Sequence, residues 1–195
     1  MSHYFTKNNH LDSNEKDIYF KIDERTFHFI TDNGVFSKSG LDFGSRLLLE
    51  SVIRIKSDKV LDLGSGYGAV GIVYKLMNMD AAVTMSDIND RAISLSKKNA
   101  ALNKVEVNII PSDGFNDIKD DFSMIISNPP IRAGKTLLFE LLKESANHLE
   151  NEGQLIFVIQ KSLGALSALR FCEEIYTKVD IINKKSGYMV IRCIK

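Results

Sequence analysis

Cysteine, net charge and long apolar runs are all scarce in this chain, and each shortage closes off a class of protein. The only two cysteines, Cys172 and Cys193, fall in a helical pattern and in an alternating strand pattern. They read as buried thiols, not as a disulfide framework. His3, His10, His28 and His148 share no metal-ligand spacing with one another or with the cysteines, so no metal is expected. No apolar stretch reaches membrane-spanning length, and the first thirty residues are polar and charged without the apolar centre of a signal peptide. The expectation is a cytoplasmic protein with no membrane partner. Twenty-five Lys and Arg balance 25 Asp and Glu, so nothing draws the whole molecule to nucleic acid; an RNA partner would have to meet a local basic patch. Internal repeats and low-complexity segments are missing too.

What remains is an ordinary globular composition, 44% hydrophobic over 195 residues, enough for one sizeable domain and short for two. Residues 1–16 lack any period and are expected to form an irregular arm. Ile18–Ile22 and Thr26–Ile30 read as strands of a hairpin joined by a three-residue turn, Asp23-Glu24-Arg25. His28, isolated from any partner motif, reads as a surface or packing residue. A turn-rich loop from Asp32 to Ser45 then leads into a helix over 46–53 and is a candidate lid. Residues 1–45 thus form arm, hairpin and lid-like loop, and 46–195 the core of a single domain. Beyond residue 60, apolar strands alternate with helices over 69–77, 89–103, 134–149 and 163–175. The chain closes on a hairpin, 179–182 and 188–194, with Asn183–Gly187 as its turn. That order predicts an α/β fold with a mostly parallel sheet and one reversed strand at the end.

The organising stretch is Val60-Leu61-Asp62-Leu63-Gly64-Ser65-Gly66-Tyr67-Gly68-Ala69-Val70-Gly71, an apolar strand, a turn with alternate glycines and the start of a helix. Glycine lets the backbone turn tightly and come close to a ligand. The glycines match the dinucleotide fingerprint, which makes an NAD enzyme one reading. Asp62 opposes it, because a pyrophosphate there would meet like charge. S-adenosylmethionine, with an ammonium, a sulfonium and no phosphate, suits the charge of the loop.

Three more motifs fall at strand ends. Asp87 lies 19 residues beyond Gly68, the separation at which a carboxylate reaches ribose hydroxyls; capping the helix that starts near Asn89 is the lesser reading, and the two roles are compatible. Asp113, before Gly114, either accepts from an adenine amino group or is a turn residue. Asn128-Pro129-Pro130 follows the fourth core strand and forms a stiff loop, by itself no more than a strand terminator. In an open α/β sheet, ligands bind outside the carboxyl ends of strands where the strand order reverses, and four motifs on one rim outweigh capping and turns.

With these residues in view the chain resembles the class I S-adenosylmethionine-dependent methyltransferases of the Asn-Pro-Pro, amino-methylating kind. Gly34-Val35-Phe36-Ser37, Leu41-Asp42-Phe43-Gly44-Ser45 with Leu47-Leu48-Leu49, Val60 to Gly68 and Ile125 to Pro130 are together similar to the catalytic domain of the small-subunit ribosomal RNA guanine-N2 methyltransferase C family. The resemblance covers nearly all of residues 18–195. It implies a Rossmann-like, seven-stranded sheet. Long members of the family carry a duplicated, inactive N-terminal domain, and the shorter, single-domain relatives are the better match.

The resemblance also implies roles. Asp62, Gly64, Ser65, Gly66 and Gly68 would hold the methionine end of S-adenosylmethionine, Asp87 and Ile88 the ribose, and Asp113 and Gly114 the adenine. Asn128, through its side-chain oxygen, and Pro129, through its backbone carbonyl, would accept hydrogen bonds from the amine, with Pro130 stiffening the loop. Relatives usually place an aromatic after Asn-Pro-Pro to stack on a flipped base, where this chain has Ile131; Phe36 is the candidate replacement. Arg132, Lys135 and Lys161 are candidate phosphate contacts. The substrate so implied is guanine in ribosomal RNA. A protein glutamine amide presents the same planar NH2 and is the rival acceptor, and a binding module that kept only the cofactor pocket is a further alternative.

Overall fold

The structure is a computed structural model that describes residues 12–131 and 134–195; Arg132 and most of the polar arm lie outside the described residues. Strands β1 (Lys16–Ile22) and β2 (Arg25–Thr31) pair as an antiparallel hairpin. Their alternation turns Ile18, Phe20, Ile22, Phe27 and Phe29 inward, as a half-buried ribbon requires. The turn has two residues and not three. Ile22 pairs directly with Arg25, and Asp23 takes the left-handed backbone the tight connection needs, φ 49°.

Helix α1 (Phe43–Val52) begins three residues ahead of the expected start, because the Asp42 side chain caps it and accepts the Ser45 N–H at 3.1 Å. From there the chain runs through β3 (Lys59–Leu63), α2 (Ala69–Met77), β4 (Ala82–Asp87), α3 (Asp90–Leu102), β5 (Asn108–Pro111), β6 (Phe122–Ser127), α4 (Lys135–Asn147), β7 (Leu149–Gln160), α5 (Ala165–Glu173), β8 (Lys178–Lys185) and β9 (Tyr188–Ile194). The seven-stranded sheet has the order β5-β4-β3-β6-β7-β9-β8, with β9 alone running against the rest. This is the mostly parallel sheet with one reversed strand that the sequence predicts. β5 ends on Pro111, tolerated because it is an edge strand. The closing hairpin turns on Ser186 and Gly187 only, with φ of 48° and 80°, so 183–185 belong to the ladder.

The central strands are buried on both faces, which is why they read as continuous apolar runs. Met124 and Ile126 of β6 pack with α1, α2, α3 and the hairpin, whereas Ile125 faces α4 and α5. Cys172 and Cys193 are free and fully buried in the second of these layers. Among the described residues no helix is long and apolar enough to cross a membrane.

Two features fix the rim. Asn99 of α3, wholly buried, accepts the Ile30 N–H at 2.7 Å and donates to the carbonyls of Ile30 and Tyr67, each at 2.8 Å. It ties hairpin, helix and glycine loop together. Ser127 Oγ donates to the Leu63 carbonyl at 2.9 Å and locks the ends of β3 and β6 beneath the point where the strand order reverses.

Candidate active site

Above that point the chain encloses a cavity of about 330 Å³. One wall is the glycine loop. Gly64 and Gly66 adopt φ of 72° and 57°, and a Cβ at either would meet nothing within 4 Å; the turn needs the left-handed backbone, and its open side faces the ligand space. The N–H groups of Gly64 and Ser65 both donate to the Ser86 carbonyl at 2.9 Å. Gly66 donates to Asp87 Oδ2 at 2.8 Å, and Ser96 Oγ donates to the Gly66 carbonyl at 2.8 Å. Gly68 does not line the cavity. It is the N-cap of α2, and a Cβ there would press on Ile72 at 3.0 Å and Ser96 at 3.2 Å, so its part is packing.

Asp62 is 2% exposed, and its Oδ2 accepts the Gly71 N–H at 2.8 Å. Burial pushes its carboxyl up to about 7, against the pull of that hydrogen bond and with help from the nearby Asp87 charge. Burial likewise raises Asp87, although the N–H groups of Asn89, Gly66 and Ile88 favour its charged form. Asp87 does not cap α3. Asn89 does, accepting from the N–H groups of Arg91 and Ala92, and Asp87 instead braces the loop. Asp113 is exposed at the mouth; Ser112 shapes its turn by donating to the Gly114 carbonyl at 2.9 Å and accepting the Asp117 N–H at 3.1 Å.

The opposite wall is Asn128, Pro129, Pro130 and Ile131. Asn128 Nδ2 donates to Ser45 Oγ at 3.0 Å, which fixes the amide and leaves Oδ1 as the end free of Ser45. Pro129's carbonyl already accepts the Ile131 N–H at 2.8 Å, so only its second lone pair is left for a ligand. The roof is the loop before α1: Ser37 donates to Asp42 Oδ2 at 2.8 Å while Asp42 Oδ1 holds Ser45. Val35, Phe36, Leu41 and Ile88 complete the lining on that side.

Of the expected cofactor and acceptor residues, the structure gathers all but Gly68 around one cavity; the candidate phosphate contacts Lys135 and Lys161 do not line it, and Arg132 lies outside the described residues. It also adds Asp42, Ser45, Gln160, Leu163 and Tyr188. Asp42 carries the general N-cap signal of an Asp before an apolar helical run, but nothing local places Ser45 beside Asn128; Tyr188 reaches the rim only because β9 runs backwards. His28 lies outside the cavity lining, bonded through Nε2 to Asp17 at 2.6 Å and stacked on Tyr19 at 4.5 Å.

The charge of the cavity is one-sided. Asp42, Asp62, Asp87 and Asp113 line it, and none of the described lining residues is Lys, Arg or His. Three hydroxyls in its wall, of Ser65, Tyr67 and Ser86, are buried without a hydrogen-bond partner among the described residues. Such a wall suits a ligand that is cationic and rich in polar atoms and repels a pyrophosphate.

Known proteins share sequence and fold with this chain. The family model of the methyltransferase small domain matches residues 26–192. The uncharacterized protein YbxB of Bacillus subtilis (strain 168) is 39% identical over 99% of this chain and 98% of its own length. Ribosomal RNA small subunit methyltransferase C of Pseudoalteromonas atlantica (strain T6c / ATCC BAA-1087) is 33% identical over 82% of this chain, which spans only 47% of that relative. Among solved structures, the T. thermophilus 16S rRNA N2 G1207 methyltransferase (RsmC) in complex with AdoMet and guanosine superposes with a TM-score of 0.83 at 23% identity, over 93% of this chain and 50% of that one. The chain belongs to the methyltransferase small domain family.

Proposed function

We propose that this protein transfers the methyl group of S-adenosylmethionine to an exocyclic amine, the N2 of a guanine in ribosomal RNA. The observation that carries the reading is the continuity of one cavity between an acidic glycine loop and an Asn-Pro-Pro loop whose amide is held from behind by Ser45. The relatives named for small-subunit rRNA methylation support it, although this chain spans about half their length.

The residues fit the cofactor. Asp62, bonded to the first turn of α2, and the glycine loop would face the methionine ammonium. Asp87 has room for a ribose hydroxyl beside the N–H groups it already accepts, and the orphaned hydroxyls of Ser65 and Ser86 gain partners. Asp113 and Gly114 at the mouth would contact adenine. When bound, the cofactor supplies an electrophilic methyl on a sulfonium.

The chain's own part in the reaction is orientation. The lone pair of a guanine amine is delocalised into the ring. Asn128 Oδ1 and the second lone pair of the Pro129 carbonyl would accept its two N–H bonds, turn the lone pair toward the methyl and stabilise the positive charge that grows on nitrogen. The spent proton leaves to water from the methylated amine, so no protein base is called for.

Labelled methyl transfer to unmethylated ribosomal RNA, naked and assembled into small subunits, tests this, with nucleoside analysis of the product. Label in an N2-methylguanosine is the expected result. Asn128→Ala should bind S-adenosylmethionine within about threefold of wild type by calorimetry and lose roughly 100-fold or more in turnover, the scale of deleting a preorganised transition-state contact. Wild-type turnover from that variant would overturn the mechanism, and cofactor binding without label in any RNA would move the acceptor to a protein amide.

A further inference from the structure

An aromatic surface closes the acceptor side of this cavity, beside the Asn-Pro-Pro loop and its aliphatic neighbour Ile131. Tyr188 lines it together with Asn128, Ile131 and Gln160. Behind Tyr188 lies Phe43, ring centroids 5.3 Å apart and tilted by 46°, with Phe43 37% exposed. The pair is set by the framework. Tyr188 opens β9 and pairs with Gln160 at the end of β7, and the turn before it is pinned by the Lys161 N–H donating to the Gly187 carbonyl at 2.7 Å.

Gly44 shows how near this surface is to the reacting amide. A Cβ on Gly44 would sit 3.2 Å from the Tyr188 ring and 3.6 Å from Asn128 Nδ2, so ring and amide approach the same missing side chain. The backbone there is not in the left-handed region, and what requires glycine is proximity. Phe36, the replacement expected from sequence, lies on the roof loop between two anchors: Ser37 after it donates to Asp42 at 2.8 Å on the acceptor side, and the residues before it are tied beside Asp87. Asn89 donates to the Gly34 carbonyl at 2.9 Å and Arg91 to that of Asn33 at 2.7 Å, both beside Asp87.

We propose that Tyr188, backed by Phe43, is the stacking face for the acceptor base. This rests on the guanine reading above and sharpens it. A flat purine can lie on the ring while its amino group reaches Asn128, whereas an aliphatic amide side chain has no ring face to offer. Tyr188 and Phe43 come from β9 and the start of α1, so the base would be gripped from the sheet and not from the Asn-Pro-Pro loop. Ile131 then packs against the base edge or sugar as an apolar bumper.

The experiment is calorimetric titration of guanosine into protein saturated with S-adenosylhomocysteine, followed by the NMR shift of guanosine H8 on binding. Wild type should bind guanosine with an upfield ring-current shift of H8. Tyr188→Leu, which keeps bulk and loses the π face, should weaken guanosine about 5- to 150-fold, the range for removing one base-stacking aromatic, with the affinity for S-adenosylhomocysteine unchanged. Tyr188→Phe should stay within about twofold of wild type. Equal guanosine affinity in Tyr188→Leu, or bound guanosine in wild type without an upfield H8 shift, overturns the stack and leaves the guanine reading standing; the second readout needs no variant to fold. No guanosine binding by wild type that binds S-adenosylhomocysteine normally overturns both.

Discussion

Asp62 is the residue whose charge state the fold leaves undecided. Burial lifts its carboxyl to about 7 in the ligand-free protein, so near neutrality it is part carboxylate and part acid, and only the carboxylate attracts an ammonium. Affinity for S-adenosylmethionine should therefore rise with pH, by at most about tenfold per unit below pH 7, and level off above it. Calorimetry from pH 5.5 to 8.5 would show the rise together with proton release on binding. Asp62→Asn should bind weakly and with a shallower slope across the same window, the remainder belonging to Asp87, which burial also raises; a wild-type profile no steeper than that variant's would remove Asp62 from cofactor recognition. The stability of the empty protein runs the other way. Between the unfolded carboxyl's value near 4 and the folded value of about 7, the folded state holds a proton that the unfolded chain has released. Raising pH through that window destabilises the empty fold, and the loss is complete above the folded value. Thermal melts with and without ligand should diverge as pH rises, since a bound cation compensates the carboxylate.

At the scale of elements, α2 is seated on β3 and β4 so closely that only glycine fits between them. A Cβ on Gly71 would fall 2.6 Å from Met85 Sδ, 2.7 Å from its Cγ and 3.1 Å from Asp62 Oδ2, and Met85 is fully buried. Gly71→Ala should force the helix off the sheet and carry the glycine loop with it. Overpacking of this kind costs about 1–3 kcal/mol, a Tm lower by roughly 2–12 °C at this chain length, with weakened cofactor binding; an unchanged Tm would mean that Met85 yields freely. The glycine run and the strands that carry the site were legible in sequence because fully buried parallel strands are written as apolar runs, and glycines at fixed offsets mark a tight turn. Less legible was whatever depends on pairing. The start of α1 hinged on the Asp42 cap, the polar beginning of β7 on its pairing with β6, and the short turns of both hairpins on ladder register. Ser45 and Tyr188 stand 83 and 60 positions from Asn128 in the chain, a proximity that no local pattern announces.

The whole molecule is electrically neutral while its cavity is acidic, so an RNA would have to be held by cations outside the cavity and not by the molecule's overall field. Exposed lysines stand beside lining residues around the mouth: Lys38 after Ser37, Lys161 after Gln160, and Lys185 across the ladder from Tyr188. They flank the acceptor side and roof, where the strand leaving a flipped base would pass. Lys135 instead lies over the Phe139 ring, 5.0 Å from its centroid, on α4. If three lysines each neutralise one phosphate of single-stranded RNA, log K should fall with log salt at a slope of about −2. Lys161→Gln should make that slope shallower by roughly 0.7 and weaken all RNA sequences alike, whereas Tyr188→Leu should weaken binding without altering it, because stacking releases no counterions. Filter binding from 50 to 300 mM salt separates the two. A flat response in wild type would leave the neutral surface with no electrostatic hold on RNA and favour a protein or small-molecule acceptor at the same Asn128 amide.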